Sequence, residues 1–217
     1  ACGVGDFNND GKLDIVAGAY LYLAPDWKPR KIRTLQGKVD DEGKGYHWDF
    51  MNAPLDVDGD GLLDVVSCSW HGKRIEWYRN KGPASGEWPA ILIEENGNYE
   101  HGDLWDIDGD GRRNEILPGV TGTVWYELGK RPDGKRGMIK HVVSEKQHDW
   151  GIGAGDVNGD GRPDVLRPGA WFEAPANPRT GKWKEHPLAV GNKQEGKPGH
   201  TPQIWVYDVN ADGLNDI

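Results

Sequence analysis

The sequence lacks long apolar runs. No stretch approaches the ~18 consecutive apolar residues typical of a membrane-spanning helix, so we predict no transmembrane span. A positively charged start followed by an apolar segment is also missing, so for an exported protein we expect the signal peptide to lie outside this chain. Apolar residues do not recur with the period of an amphipathic helix, which argues against a helical fold.

Basic residues and cysteines are also scarce. The 26 Lys and Arg are outnumbered by 35 Asp and Glu, which gives a formal net charge of −9. Phosphate binding needs a basic surface, so we predict no nucleic-acid partner. Cys2 and Cys68 fall at different positions of the repeat described below. We favour two buried free thiols over a disulfide, although the spacing leaves their pairing open.

Glycine, proline and tryptophan, by contrast, are plentiful. The chain has 32 Gly, 14 Pro and 11 Trp, a composition typical of all-β proteins with frequent turns. Five acidic segments recur about every 50 residues, and they begin at Asp6, Asp56, Asp106, Asp156 and Asp208. The second segment reads DVDGDGLLDVV. Aspartates this close together repel one another unless a cation lies among them.

The five segments share the pattern D-x-[DN]-x-D-G-x-x-D, which suits a hard cation. Oxygens at the first, third and fifth positions converge when the chain bends at the glycine, the seventh position offers its carbonyl (Leu62 in the second loop), and the last carboxylate closes the shell. We therefore predict up to five Ca²⁺ sites, with Mg²⁺ as the alternative ion. Solvated Asx turns are the other interpretation, but five loops in register favour metal.

The candidate side-chain ligands follow from this pattern. They are Asp6, Asn8, Asp10 and Asp14; Asp56, Asp58, Asp60 and Asp64; Asp106, Asp108, Asp110 and Asn114; Asp156, Asn158, Asp160 and Asp164; and Asp208, Asn210, Asp212 and Asp216. Asn114 replaces the closing carboxylate of the third loop, so we expect a lower affinity there.

Short apolar and aromatic segments also repeat around the loops. Each repeat has four such segments. The first precedes the acidic loop, the second follows it directly (DVVSCSW), the third is aromatic (IEWYRN) and the fourth follows a polar turn (WPAILIEE). This pattern predicts an all-β fold of four-stranded β-propeller blades, with tryptophans packed between neighbouring blades. The units span approximately residues 1–45, 46–98, 99–146, 147–198 and 199–217 of one partial propeller domain. We expect the remaining blades of a ring of about seven to lie outside this chain.

These loops and strands resemble the FG-GAP or VCBS repeats of calcium-binding β-propellers, which occur in integrin α-chains and in many secreted microbial proteins. The resemblance covers nearly the whole chain. It implies that each loop joins the innermost strand of a blade to the next strand and that the loop residues named above bind calcium. Calcium loops of this type fill at extracellular ion concentrations, so we expect an extracellular or periplasmic protein.

Four histidines precede acidic loops, in the segments GYHWDF, YEHGDLW, QHDWG and GHTPQIW, and each has a tryptophan nearby. In a propeller these segments would open on one face of the central funnel. The candidate catalytic residues are His47, His101, His148 and His200, with Asp49, Asp103 and Asp149 beside the first three. A carboxylate beside a histidine supports general acid–base catalysis, and converging histidines can also hold a transition metal. The alternative is that each histidine caps a strand or bonds a neighbouring blade.

Two functions stay open. The segments WFEAP and KWKEHPL are loosely similar to propellers attached to microbial carbohydrate enzymes, such as rhamnogalacturonan and ulvan lyases and aldos-2-ulose dehydratase. That likeness implies a carbohydrate ligand and β-elimination or dehydration carried out by the funnel histidines. The alternative is a non-catalytic, calcium-stabilised adhesion or interaction scaffold of the integrin-propeller type. The third interpretation is that this chain is purely structural and that blades outside the chain carry the chemistry.

Overall fold

The computed structural model describes residues 1–82, 84–120, 122–189 and 203–217. Every regular element in these ranges is a β-strand, and the strands form four four-stranded sheets and one two-stranded sheet. Among the same residues no helix has the length and apolar character needed to cross a membrane. The all-β fold with propeller-type blades, expected from the repeats, is therefore confirmed.

The first two sheets lie in the N-terminal half of the chain. The first blade comprises β1 (Cys2–Gly5), β2 (Asp14–Ala17), β3 (Tyr20–Tyr22) and β4 (Pro29–Lys31). The second blade comprises β7 (Ala53–Leu55), β8 (Asp64–Ser69), β9 (Arg74–Tyr78) and β10 (Ala90–Glu95). Between them, β5 (Gly37–Val39) and β6 (Gly45–His47) form a separate hairpin that the repeat pattern does not predict.

The other two blades repeat this arrangement. The third comprises β11 (His101–Trp105), β12 (Glu115–Gly119), β13 (Thr123–Lys130) and β14 (Arg136–Ser144). The fourth comprises β15 (Gly153–Gly155), β16 (Asp164–Arg167), β17 (Gly169–Glu173) and β18 (Lys184–Leu188). All four blades are antiparallel meanders of consecutive strands, and in each the acidic loop joins the first strand to the second.

The chain divides into two compact units, which are Ala1–Tyr99 with Leu128–Met138, and Glu100–Glu127 with Ile139–Ile217. The core of the first unit includes Phe7 and Val16 from the first blade and Val65 from the second, with Trp88 packed on Phe7 at a ring distance of 6.2 Å. The core of the second unit is built in the same way around the buried Trp125. Tryptophan and β-branched residues thus fill the space between the sheets of one unit, as their positions in the repeat predict.

Each unit also buries an arginine. In the first unit the guanidinium of Arg33 donates to Asp49 Oδ1 (2.7 Å), Asn52 Oδ1 (2.5 Å) and the Gly18 carbonyl (2.9 Å), and it lies 4.6 Å from the ring centre of Tyr78. A charge taken out of water is tolerated only when partners of this kind surround it, so Asp49 is a structural counter-ion.

Arg167 has the corresponding role in the second unit. Its side chain is fully buried and donates to the carbonyls of Val120, Gly122 and Asp149. Burial lowers the pKa of Arg167 to about 9, and the negative charge of Asp149 opposes this change. The arginine therefore joins its own strand, β16, to the segment around Val120 and Gly122 and to the segment around Asp149.

The two cysteines are both free, but only one of them is buried. Cys68 lies on β8 in the interior, and Cys2 on β1 is exposed. The expectation of free thiols is confirmed for both, and the expectation of burial is wrong for Cys2. The first strand of the first blade alternates exposed and buried residues, and Cys2 occupies an outward position.

Neighbouring inner strands approach closely, and glycine makes this possible. In the second unit Ile152 bridges Gln203 in parallel orientation, and the Ile204 amide donates to the Ile152 carbonyl at 3.0 Å. A Cβ added at Gly153 would lie 1.9 Å from the Ile204 carbonyl oxygen. The segment QIWVY, expected to be a strand, is joined to the fourth blade by this bridge.

Gly153→Ala is therefore expected to destabilise the protein by about 2 kcal/mol, because the added methyl group collides with backbone that cannot rotate away. Chemical denaturation of both proteins measures the difference. Gly86→Ala is the matched control, since a Cβ at that glycine meets no atom within 4 Å. Equal stability of the two variants would show that the strands are not packed as described.

Candidate metal loops and binding residues

The acidic loops share one internal hydrogen-bond pattern. In the second loop Asp56 Oδ1 accepts from the Asp60 amide and Asp56 Oδ2 from the Gly61 amide, both at 3.1 Å, while Asp58 Oδ1 accepts from the Asp60 amide at 3.3 Å. The corresponding bonds form in the other four loops. Gly61 has a φ of 89°, which a residue with a side chain rarely adopts. The sequence pattern therefore codes a single loop conformation.

The closing carboxylate of the second loop is buried. Asp64 accepts from the Val57 amide inside the loop at 3.0 Å and from the Asn80 amide beyond the third strand at 2.7 Å. Asp14 and Asp164 bond their loops and third strands in the same way. The pKa of Asp64 is raised to about 7: burial is the main cause, the hydrogen bonds from the Asn80 and Val57 amides oppose it, and the charges of Asp58 and Asp60 act in the same direction as burial. A buried carboxylate among other carboxylates is an environment that a cation stabilises.

Three carboxylates of the second loop converge. Oxygens of Asp56, Asp58 and Asp64 lie within 4.8 Å of one another. Asp60 is not in this group, and its Oδ1 accepts instead from the Leu62 amide at 3.0 Å. Arg79 lies beside the loop, with Nε 2.5 Å from Asp58 Oδ2. The first, third and ninth positions are thus the ones that the fold brings together.

The third loop obtains its closing carboxylate from a residue that the sequence pattern does not indicate. Oxygens of Asp106, Asp108 and Glu115 converge within 4.8 Å, and Glu115 accepts from the Ile107 amide at 2.9 Å. Burial raises the pKa of Glu115 to about 7. The longer glutamate side chain reaches the site from one position later than the aspartate of the other loops. The Oδ1 of Asn114 is buried and finds no hydrogen-bond partner among the described residues.

Asparagine occupies the third position of the other three loops. In each of them its Oδ1 accepts from the amide of the fifth residue, and its Nδ2 donates to the fifth carboxylate at 3.0–3.2 Å; these residues are Asn8, Asn158 and Asn210. The amide oxygen takes the position that the aspartate oxygen takes in the second loop. These loops therefore offer the same arrangement with one negative charge fewer.

The histidines that precede the loops lie in different surroundings. His47 is exposed on β6 of the separate hairpin. His101 begins β11 and its Nε2 is 2.9 Å from the Gln203 amide nitrogen. His148 is half-buried, and its ring contacts Phe172 edge-on at 5.4 Å. His200 lies outside the described residues. Neither group of converging ligands in the described part of the chain contains a histidine.

The carboxylates expected beside these histidines have other partners in two cases. The carboxylate of Asp49 neutralises Arg33, and Asp149 Oδ1 accepts from the Trp150 amide at 3.1 Å. Asp103 acts on its histidine: burial lowers the pKa of His101, and the charge of Asp103 opposes this effect by raising it.

Three further histidines pack on aromatic rings or carboxylates. His186 on β18 stacks on Trp171 at 4.2 Å and lies 2.8 Å from Glu173, and His141 on β14 stacks on Trp125 at 4.3 Å. Both histidines lie on the fourth strands of their blades, and these contacts give them a structural role. His71 belongs instead to an aromatic cluster with Tyr46, Trp48 and Phe50, which sequence reasoning did not indicate because its members come from two separate segments.

Comparison with known proteins finds FG-GAP-type repeats in two parts of the chain. The FG-GAP repeat matches residues 3–39, and the FG-GAP-like repeat matches residues 56–114. No curated protein sequence matches the chain. Among solved structures, the crystal structure of the V. cholerae biofilm matrix protein Bap1 is similar with 22% identity and a TM-score of 0.41, over 84% of this chain and 29% of that chain. The chain thus spans less than a third of the length of Bap1. This all-β protein with propeller-type blades thus contains FG-GAP-type repeats in residues 3–39 and 56–114.

Proposed function

We propose that this chain is a calcium-stabilised interaction scaffold of the propeller type that works outside the cell. The observation that carries the proposal is the convergence of three carboxylates in each of two loops, Asp56, Asp58 and Asp64 in one and Asp106, Asp108 and Glu115 in the other. Every potential ligand atom in both groups is a carboxylate oxygen, which is the ligand type that Ca²⁺ prefers.

The remaining loop geometry supports calcium over magnesium. Ca²⁺ accepts six to eight oxygens at variable angles, whereas Mg²⁺ requires a near-octahedral shell and keeps several waters. The three converging carboxylates of each loop can bind an ion through one or both oxygens, which suits the larger and more variable shell of Ca²⁺. A bound ion would neutralise the buried Asp64 and Glu115 and fix the junction between the first three strands of each blade.

Chelation of calcium is expected to lower the melting temperature by about 5–10 °C for each site that loses its ion, because an ion present at a hundred times its Kd adds about 2.7 kcal/mol per site to the folded state alone. Melts followed by circular dichroism with calcium and with a chelator measure the shift. Asp58→Asn should reduce the calcium-dependent part of the shift, because it removes one converging carboxylate.

Asp26→Asn is the matched control for this experiment. Asp26 lies outside the loops with its side chain 69% exposed, so its substitution should leave the calcium-dependent shift unchanged. A melting temperature that does not respond to chelator would contradict calcium stabilisation. An equal response of both variants would contradict the assignment of Asp58.

Glu115→Gln is expected to lower the affinity of the third loop for the ion at least tenfold, because the substitution keeps the size of the side chain and removes the charge. Titration with Tb³⁺, followed by its luminescence, measures the number of bound ions and their affinities. Glu100→Gln, at an exposed position of the same unit, serves as the control. An unchanged titration of Glu115→Gln would show that the loop binds without this carboxylate.

A carbohydrate lyase or dehydratase is the second candidate function, and His101 is the observation in its favour. Burial lowers the pKa of this histidine, so the ring is neutral at pH 7 and able to accept a proton. Asp103 and Gln203 lie beside it and can orient the ring. The scaffold remains the preferred function, because Asp49 is bound to a buried arginine and His148 is packed against Phe172.

The packing of His148 predicts a pH effect on stability. Burial lowers its pKa in the folded state, and the charge of Arg167 lowers it further. As the pH falls through the ordinary histidine pKa, the unfolded chain binds a proton that the folded chain binds less well, so folding weakens. His148→Gln should therefore lose less stability than the parent between pH 7.5 and 5.5.

The free energy of unfolding, measured with calcium present at both pH values, tests this. The slope is the change in the free energy of unfolding between the two pH values. Comparing this slope in the variant and the parent cancels the contributions of titrating groups that both proteins share. Identical slopes would show that His148 titrates freely in the folded protein, as a catalytic histidine open to solvent would.

A further inference from the structure

An aromatic surface forms where β6 and the segment that follows it meet the β8–β9 turn of the second blade. The rings of Tyr46, Trp48 and Phe50 surround the ring of His71 at distances of 5.8–6.1 Å. Tyr46 is 64% exposed and His71 is also at the surface. We call these four residues the hairpin aromatic cluster. Aromatic rings grouped at the surface, outside any sheet core, are typical of a binding surface.

A polar cleft of about 240 Å³ adjoins the hairpin aromatic cluster. Trp48 belongs to both, and the opposite wall is formed by β9. Among the polar groups that line the cleft are Thr34, Arg74, Glu76 and Glu87. Its volume is below the ~300–1,000 Å³ of pockets that enclose a drug-sized molecule, so it suits one ring of a longer ligand.

The polar groups of the cleft are held in place by one another. Arg74 Nη1 lies 3.2 Å from Glu76 Oε1, and the Tyr78 hydroxyl donates to Glu76 Oε2 at 3.2 Å. Glu87 accepts from the Thr34 hydroxyl at 2.8 Å, and Lys31 lies 2.6 Å from it. The Lys31 ammonium, followed by the Thr34 hydroxyl, lowers the pKa of Glu87, so this carboxylate is ionised at neutral pH.

The aromatic rings and the hydrogen-bonding groups of the cleft favour a sugar over other classes of ligand. A sugar ring has an apolar C–H face that packs on an aromatic ring, and an edge of hydroxyls that both donate and accept hydrogen bonds. The cleft offers acceptors in Glu76 and Glu87 and a donor in the half-exposed Arg74. Because Arg74 and Lys31 are already matched by these two carboxylates, an acidic ligand would gain no excess of positive charge.

We propose that the hairpin aromatic cluster and its cleft bind a neutral sugar residue of a glycan, with the ring face on Trp48 and Tyr46 and the hydroxyls on Arg74 and Glu76. This inference rests on the proposed scaffold function and specifies the ligand that the scaffold holds. Both parts of the site lie within the first unit of the chain.

The test uses the full chain with calcium and a panel of neutral oligosaccharides that end in glucose, galactose, mannose or N-acetylglucosamine. Binding is measured by isothermal titration calorimetry and by the change in tryptophan fluorescence. At least one member of the panel should bind, and Tyr46→Ala should weaken it about tenfold, because one aromatic contact of the sugar is lost.

Tyr20→Ala is the matched control. Tyr20 is 41% exposed on β3, its ring contacts Tyr22, and it does not line the cleft, so the substitution should leave the affinity unchanged. Arg74→Gln is the second variant and should also weaken binding about tenfold, because charged hydrogen bonds to the sugar are lost. If Tyr46→Ala proves less stable than Tyr20→Ala, Arg74→Gln decides the outcome.

Three results would overturn the proposal. They are no binding to any member of the panel, binding that neither Tyr46→Ala nor Arg74→Gln weakens, and tighter binding of polygalacturonate than of the neutral sugars. Calcium-dependent melting is measured on the same samples. Normal melting without sugar binding would overturn only this inference and leave the calcium-stabilised scaffold intact.

Discussion

The buried closing carboxylate is the interaction on which each blade depends. In the first, second and fourth blades one aspartate oxygen accepts from a loop amide and the other from an amide just beyond the third strand. A single side chain thus fixes the start of the second strand, the curl of the loop and the end of the third strand. The same burial that makes these bonds strong leaves a negative charge in the interior, which is costly unless a cation lies nearby. An ion held by the loop would therefore be linked to the stability of the blade through one residue.

The strand order and the loops were predictable because both are local. The alternation of acidic loop, apolar strand and aromatic strand has a fixed period, and a meander needs only hydrogen bonds between consecutive segments. Gly61 and the equivalent glycines adopt a positive φ, which a glycine at a fixed position of the loop pattern already indicates. The loop ligands are close in sequence, so their convergence follows from a single bend.

The remaining features depend on contacts between distant segments, and the sequence does not reveal these. Asp49 was expected to serve His47, two residues away, but its partner is Arg33 from the end of the preceding blade. Glu115 was missed because a pattern fixed at the ninth position ignores the extra length of a glutamate side chain. The hairpin aromatic cluster joins residues from both sides of the second acidic loop. An acidic residue beside a histidine is thus a weak signal when a buried arginine competes for it.

The antiparallel meander also has a mechanical consequence. The closing carboxylate couples the first three strands of a blade, whereas the fourth is outside these bonds and is held at its inner edge by pairing with the third strand. Tension applied along the polypeptide would therefore peel the outermost strand first and leave a three-stranded remnant clamped at its acidic loop. A protein composed of such blades would lengthen under load in small steps before any blade is lost.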